Sequence, residues 1–110
     1  MQTITIAEQL WLEPTLLGVT LNFTDRPHGW HYRVGIGFQS LSDCDKALKE
    51  VNCSWTMRDK SLTIEGERDI TLTFCPGTYM ERCVKLNYEE LHAFKNAIHY
   101  LTLANIPSQN

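Results

Sequence analysis

The histidines are the first residues to consider for chemistry, because imidazole titrates near neutral pH and binds metal ions. His28 and His31 form an H-x-x-H pair, but a metal site needs a third ligand and the neighbouring residues supply none. We interpret His28 as a loop residue and His31 as an outward-facing strand residue. His92 and His99 lie on one face of a predicted helix, which we interpret as a solvated or partner-contacting face.

Nucleophilic side chains show no catalytic arrangement either. The cysteines form no C-x-x-C pair, which argues against structural zinc, and no signal peptide precedes them, so we expect four reduced thiols, Cys44, Cys53, Cys75 and Cys83. No serine stands in a G-x-S-x-G setting. The sequence predicts no catalytic residue, no metal site and no cofactor. It leaves enzymatic activity open and favours a protein that is not an enzyme.

A strip without side chains is the least ordinary feature of the sequence. Residues 30–39 alternate apolar and other side chains, which is typical of a half-buried strand. Gly35 and Gly37 fall on the same face as His31 and Arg33, and glycine inside a strand usually marks a bend or a close approach. The strip is either a shallow groove where a ligand or a second chain meets the sheet, or it reflects a strongly coiled strand or a tightly packed helix of this domain.

Two aromatic residues add candidates for binding. Trp11 and Tyr79 fall out of phase with the apolar positions of their strands, so we expect exposed platforms for stacking or partner contact. The candidate ligand- or partner-binding residues are therefore His31, Arg33, Gly35, Gly37, Trp11 and Tyr79.

The elements that position these residues follow from the hydrophobic periodicity. Strands are predicted over residues 3–13, 17–24 and 30–39, and a short helix over residues 42–51. A bulge or break near Glu8 explains the blurred first strand, Pro14 ends it, and Ser42 caps the helix. Four more strands and a helix with a capping-box pair, Asn87 and Glu90, complete the chain.

The predicted fold class is α+β, with about seven strands and two helices in the order βββα-ββββα. We expect a single domain over residues 1–106, built on antiparallel hairpins, and a frayed tail over residues 107–110. The predicted core consists of Val19, Leu21, Phe23, Trp30, Val34, Ile36, Phe38, Leu72, Phe94 and Ile98.

Composition and charge exclude several classes of protein. The chain has 110 residues, of which 43% are hydrophobic, and no run is long enough to span a membrane. Its 10 basic and 13 acidic residues give a net charge of -3, which argues against a dedicated nucleic-acid binder and against a DNA mimic. The N-terminus resembles no secretory signal, so we expect a cytoplasmic protein.

In element order alone, the predicted chain resembles the Whirly and related single-stranded nucleic-acid-binding folds, in which curved antiparallel sheets are followed by helices. It is also similar to the pleckstrin-homology-like arrangement, if the first helix is treated as an insertion. These resemblances imply folds and assign no role to any residue.

The function predicted first is that of a small cytoplasmic, non-enzymatic binding or regulatory protein that acts through a sheet face. A homodimer or another protein is the expected partner. The alternatives are single-stranded nucleic-acid binding, with stacking on Trp11 or Tyr79 and cations such as Arg33 and Lys85, and a small hydrolase or isomerase that uses His31 or His92.

Overall fold

Two four-stranded antiparallel sheets, each followed by a helix, make up the protein in a computed structural model that describes residues 3–104. The first half contains β1 (Ile4–Ala7), β2 (Leu10–Thr15), β3 (Gly18–Asp25), β4 (Trp30–Gly37) and α1 (Phe38–Leu48). The second half contains β5 (Cys53–Thr56), β6 (Leu62–Gly66), β7 (Thr71–Phe74), β8 (Arg82–Lys85) and α2 (Tyr88–Ala104). The α+β class is confirmed, and both sheets are meanders, in the orders β1-β2-β3-β4 and β5-β6-β7-β8.

The hairpin of β3 and β4 forms as its alternating sequence predicts. Leu21 pairs with Val34 and Val19 with Ile36, and all four side chains are buried on the inner face of the sheet. Side chains two residues apart share a face, so the other inner positions of β3 and β4 are Phe23, Asp25, Trp30 and Tyr32, and the buried Asp25 is the charged one among them.

The first predicted strand is two strands, which raises the strand number from the expected seven to eight among the described residues. The break near Glu8 is the turn between β1 and β2, and the register also shifts between Thr5 and Ala7. Pro14 does not end the strand; it lies inside β2, opposite Val19. The bond from Thr24 N to Gln9 O shows that the odd-numbered residues of β2 are the ones that hydrogen-bond to β3. The backbone nitrogen of Pro14 therefore points away from β3, so the pairing with β3 loses no hydrogen bond and the proline is tolerated.

Helix α1 begins at Phe38, four residues before the predicted cap at Ser42. The strand ends at Gly37 because the Phe38 N–H donates to Leu17 O at 3.1 Å and turns the chain into the helix. Phe38 is therefore 37% exposed, and its prediction as a core residue was wrong. The helix buries Leu41, Cys44 and Leu48 as its apolar spacing predicts, but it ends at Leu48 and not at residue 51, and Val51 is exposed.

Helix α2 begins with the predicted reciprocal capping box. The Glu90 N–H donates to Asn87 Oδ1 at 2.8 Å, and the Asn87 N–H donates to Glu90 Oε1 at 2.9 Å. Its apolar stripe is buried as expected, and within residues 3–104 no helix is long and apolar enough to cross a membrane. The predicted tail over residues 107–110 and the domain boundary at residue 106 lie outside the described residues.

Both halves contribute to one core. The Phe74 ring of β7 stacks on Phe23 of β3 at 5.3 Å between centroids and lies 5.4 Å from Tyr32 of β4. Phe23 and Trp30 are only partly buried, whereas the remaining predicted core residues are buried: Val19, Leu21, Val34, Ile36, Leu72, Phe94 and Ile98.

Candidate functional site

The face of the first sheet that points away from the core gathers most of the predicted binding residues. We call it the outer face and define it as Trp11, Glu13, Thr20, Asn22, His31, Arg33, Gly35 and Gly37. Strand register places these residues in rows, with Trp11, Asn22 and Arg33 in one row and Glu13, Thr20 and Gly35 in the next. Five of the six predicted binding residues therefore share one surface, and Tyr79 does not.

A hydrogen-bonded network fixes one end of the outer face. Asn22 is fully buried there, although it lies on the solvent side of the sheet. Its Nδ2 donates to Glu13 Oε1 at 2.8 Å, and Trp11 Nε1 donates to the same oxygen at 3.2 Å. Asn22 Oδ1 lies 3.1 Å from His31 Nε2, so the amide orientation calls for a histidine tautomer that carries its proton on Nε2. The network holds the Trp11 and His31 rings 5.5 Å apart.

Arg33 contributes an exposed cation beside this network. It lies in the same row as Asn22, and among residues 3–104 its side chain makes no ion pair or hydrogen bond. Arg26, in the turn between β3 and β4, instead pairs with Glu8 at 3.0 Å. The guanidinium of Arg33 thus remains available to an incoming carboxylate or hydrogen-bond acceptor.

Among residues 3–104, no side chain or helix packs onto the glycine strip. A Cβ atom built on Gly35 meets nothing within 4 Å, and one on Gly37 meets only Leu17 O at 3.8 Å. No helix of the described residues packs there, so that explanation of the glycines is wrong. The strip instead forms the floor of a pocket of about 350 Å³, lined by Thr15, Leu17, Gly35, Ile36 and Gly37.

Strand β4 is the longest sheet edge among the described residues, at eight residues against four in each of β1, β5 and β8. The bond from Phe38 N to Leu17 O sets the phase of its pairing with β3. Because hydrogen-bonded pairs alternate along an antiparallel ladder, the odd-numbered residues from His31 to Gly37 present their N–H and C=O groups to the open side. Within residues 3–104, no strand or loop pairs with them.

Apolar side chains lie beside the glycine end of this edge. Leu16 and Leu17, in the turn between β2 and β3, are 86% and 79% exposed, and Phe38 follows Gly37 directly. Leu17 also lines the pocket over the glycines. A partner seated along β4 would therefore cover exposed apolar surface.

The remaining predicted residues lie on the second half of the chain. Tyr79 is 89% exposed in the connection between β7 and β8, and Lys85 at the end of β8 pairs with Asp69 at 3.2 Å. The residues predicted for nucleic-acid binding are thus divided between the two halves of the chain, with Trp11 and Arg33 in the first and Tyr79 and Lys85 in the second. His92 is exposed on α2, where the Tyr88 ring lies 4.4 Å from it.

Sequence reasoning missed a charged cluster that joins the two sheets. Arg82 Nε of β8 donates to Asp25 Oδ2 at 2.6 Å, and His28 Nδ1 lies 3.0 Å from the same oxygen. The Arg82 guanidinium also lies 4.9 Å from the centroid of the Trp30 ring. Burial works to raise the pKa of Asp25, but the hydrogen bond from Arg82 and the neighbouring positive charges outweigh it and lower that pKa below its ordinary value.

A second missed pair joins the helices. His99 Nδ1 lies 3.2 Å from Asp45 Oδ2, and Lys49 Nζ lies 3.3 Å from the same oxygen. Asp45 is buried, whereas the His99 side chain is 45% exposed. His99 is therefore a helix-joining residue as well as part of the predicted solvated face, and a separation of 54 residues left no local signal for the pair.

The cysteines and the metal-binding residue types are candidates for reactive groups in the described part of the chain. All four cysteines are free, and burial raises the pKa of the Cys44 and Cys53 thiols, which makes them poor nucleophiles. Residues 3–104 hold no group of three or more histidine, cysteine, aspartate or glutamate side chains that could bind a metal ion.

No known protein family matches the chain, and no curated protein or solved structure matches it either. The geometry of the outer face and of the β4 edge is therefore the basis for a functional proposal.

Proposed function

We propose that this protein is a small cytoplasmic, non-enzymatic binding protein that takes an extended polypeptide as an additional strand along the edge of β4. The observation that carries the proposal is the combination of an eight-residue open edge with two glycines that no intramolecular packing requires. Long open edges are templates for pairing with another chain, so a protein that leaves one uncovered has a surface suited to strand addition.

The edge and the outer face have separate roles in this proposal. The outward N–H and C=O groups of the odd-numbered residues from His31 to Gly37 give main-chain hydrogen bonds, which are independent of the partner's sequence. Side chains of the added strand that point to the outer face would extend over Gly35 and Gly37 and reach the pocket beside Leu17. Arg33 favours a partner with an acidic or hydrogen-bond-accepting side chain.

The two alternative functions have less support from the structure. For nucleic-acid binding, Tyr79 does not lie on the surface that holds Trp11 and Arg33, and Lys85 already pairs with Asp69. A hydrolase using His31 would need to act through a ring whose Nε2 already lies 3.1 Å from the Asn22 oxygen. We therefore favour the binding protein.

A display library of random linear peptides tests the proposal. Peptides are selected on the immobilised full chain, and their affinities are measured by fluorescence anisotropy on the wild type and on Gly35→Pro. Proline at residue 35 removes an outward N–H and leaves the ladder with β3 intact, as proline on sheet edges does. Ser54→Pro is the matched control, because the N–H of Ser54 points to the open edge of β5 and its side chain is exposed.

We expect selected peptides to bind the wild type and Ser54→Pro equally, and to bind Gly35→Pro at least about tenfold more weakly, since main-chain bonds supply the affinity in strand addition. Circular dichroism confirms that both variants fold. Equal affinity for Gly35→Pro, or a library that yields no binder to a chain that is monomeric at the concentration used, contradicts the proposal. A salt-dependent gel shift with a short oligonucleotide would instead support the nucleic-acid alternative.

A further inference from the structure

We propose that a second copy of this chain occupies the β4 edge, with the two β4 strands antiparallel about a two-fold axis at Val34. This inference rests on the proposed function in one respect, namely that β4 is the edge at which strand addition occurs. A two-fold arrangement needs only one self-complementary surface, which is why it is the commonest symmetry of homo-oligomers. The sequence of β4 supplies such a surface.

The hydrogen-bonding phase limits the possible registers. Only the odd-numbered residues of β4 face the open edge, so each must pair with an odd-numbered residue of the partner. Two-fold pairing of odd with odd residues is possible about any residue of β4, but only the axes at Arg33, Val34 and Gly35 pair three or more of the four outward-facing residues. With the axis at Val34, Arg33 exchanges main-chain bonds with the partner's Gly35.

The side chains on the outer face distinguish these registers. An axis at Arg33 would place two guanidinium groups directly opposite each other, and like charges in that position are destabilising. An axis at Gly35 pairs residues 33–37 only, whereas an axis at Val34 pairs residues 31–37 and uses all four outward-facing positions. The axis at Val34 therefore gives the longest ladder without a charge conflict.

In this register each large side chain lies opposite a glycine. Arg33 lies opposite the partner's Gly35, and His31 lies opposite the partner's Gly37, so the bare strip of one copy receives the long side chains of the other. The row that ends at Gly35 continues through Thr20, so the partner's Arg33 lies over a row of small side chains. The two copies are therefore complementary in size.

The inner face is complementary as well. Val34 lies opposite the partner's Val34, and Tyr32 lies opposite the partner's Ile36. Within each copy these three side chains are already buried on the apolar inner face. The two first sheets would thus form one continuous eight-stranded sheet. A strand pair of this length covers less than the ~1,600 Å² of a standard interface, so we expect a dissociation constant in the micromolar range.

Charge variants of Gly35 test the contact between Arg33 and the partner's Gly35. Sedimentation equilibrium is measured on the full-length wild type, Gly35→Lys and Gly35→Glu, which are both long side chains placed where the structure leaves open space. Lysine would face the partner's Arg33 twice per dimer, so we expect the dissociation constant to rise at least about tenfold. Glutamate fills the strip in the same way but faces the same arginine with the opposite charge, so we expect its dimer to be at least about tenfold tighter than that of Gly35→Lys.

Cysteine cross-linking tests the register itself. Each register places one residue opposite itself, so oxidised Arg33→Cys, Val34→Cys and Gly35→Cys report the three axes that pair the most residues. All are made in a Cys83→Ser background, because Cys83 is exposed and would form other disulfides. We expect a disulfide dimer from Val34→Cys alone, since the Cα atoms of a non-hydrogen-bonded pair are about 4.5 Å apart. Ile36→Cys, also buried on the inner face, is the control and should remain uncross-linked.

The remaining outcomes contradict the dimer, and they show whether the proposed strand addition fails with it. A wild type that remains monomeric at about 100 µM, where a micromolar dimer would be nearly complete, while selected peptides still bind, overturns the dimer and leaves strand addition in place. A monomer that binds no peptide overturns both. A dimer that neither Gly35 variant alters, or that cross-links at Arg33 or Gly35 instead of Val34, overturns the pairing described here.

Discussion

The two halves of the chain have the same element order, four strands followed by a helix, but they end their sheets differently. β4 is eight residues long, and its outer face carries two glycines and Arg33, which pairs with none of residues 3–104. β8 is four residues long, and its Arg82 and Lys85 side chains are both ion-paired within the chain. Short length and charged side chains are the usual protection of a sheet edge. The comparison supports our proposal that recognition belongs to the first half, because the edge of the second sheet is short and its charged side chains are already paired.

The helices of the two halves begin as differently as the sheet edges end. α1 starts at Gly37 with no side-chain cap, and its first bond goes to a backbone oxygen of the hairpin turn. α2 starts with the reciprocal bonds of Asn87 and Glu90. The first helix thus depends on the sheet beside it, and the second has its own start signal.

The largest expected effect concerns the core that the halves share. Phe74→Ala removes a fully buried ring that touches Phe23 and Tyr32 of the other half, so we expect a loss of about 3–5 kcal/mol in the free energy of unfolding. Urea unfolding followed by tryptophan fluorescence and by circular dichroism should show one coincident transition. Tyr79→Ala, an exposed aromatic control, should change stability by less than ~0.5 kcal/mol. Two separate transitions would show that the halves are independent units.

Much of this fold was predictable because its signals are local. The alternation along β3 and β4 and the capping box of α2 are read within a few residues, and both are confirmed. Phe38 was wrongly predicted to be a core strand residue because the apolar alternation of β4 continues through it. The strand ends before Phe38 because the Phe38 N–H bonds to the Leu17 carbonyl, and no pattern in the sequence shows that bond.

The next prediction concerns acid stability and the contact between the halves. The pKa of Asp25 is lower in the folded chain than its ordinary value, so its ionised form stabilises the fold above about pH 4 and this contribution is lost as the pH falls toward the folded pKa. Asp25→Asn should lower the urea midpoint at pH 7, and the difference from the wild type should shrink below about pH 4. Asp69→Asn, from an exposed pair with Lys85, should show little difference at either pH. A constant difference for Asp25→Asn would contradict this assignment.

A smaller effect is expected at the start of α2. Asn87→Ala removes one side of the capping box and should cost about 1 kcal/mol in the free energy of unfolding. Glu89→Gln in the same turn is the control, because Glu89 takes no part in the capping bonds. An unchanged urea midpoint for Asn87→Ala would show that packing of α2 alone determines its start.

The smallest effect is expected at the start of α1. Gly37 has a φ of -70°, which alanine also adopts. Gly37→Ala should cost a few tenths of a kcal/mol because alanine is a poorer N-cap than glycine, but it should also stabilise the fold by restricting the unfolded chain. We therefore expect the free energy of unfolding to change by less than about 0.5 kcal/mol. Gly18→Ala is the contrasting glycine, because its φ is +153° and a Cβ there would collide with the Ile36 carbonyl oxygen. Thermal unfolding that shows similar losses for both glycines would mean that Gly37 has a structural role that its geometry does not reveal.

The candidate site was only partly predictable. His31, Arg33, Gly35 and Gly37 share a strand, so periodicity alone places them on one face. Asn22 and Glu13 joined that site only through strand register, and Asp25 reaches Arg82 across 57 residues. Such partners are set by the way the sheets pack, which local periodicity does not encode.

The meander order of both sheets has a consequence for synthesis on the ribosome. Neighbouring strands are neighbours in sequence, so the first sheet closes only short loops and can pair as soon as β4 has emerged. The contacts between its inner face and the second half form later. Tyr32 bonds to Met80, which lies 48 residues further along the chain, and Asp25 pairs with Arg82 of β8. During that interval the nascent chain shows both an apolar sheet face and the long β4 edge, the two features that invite aggregation. A neighbouring nascent copy that paired with this edge would protect one of them before the second half exists.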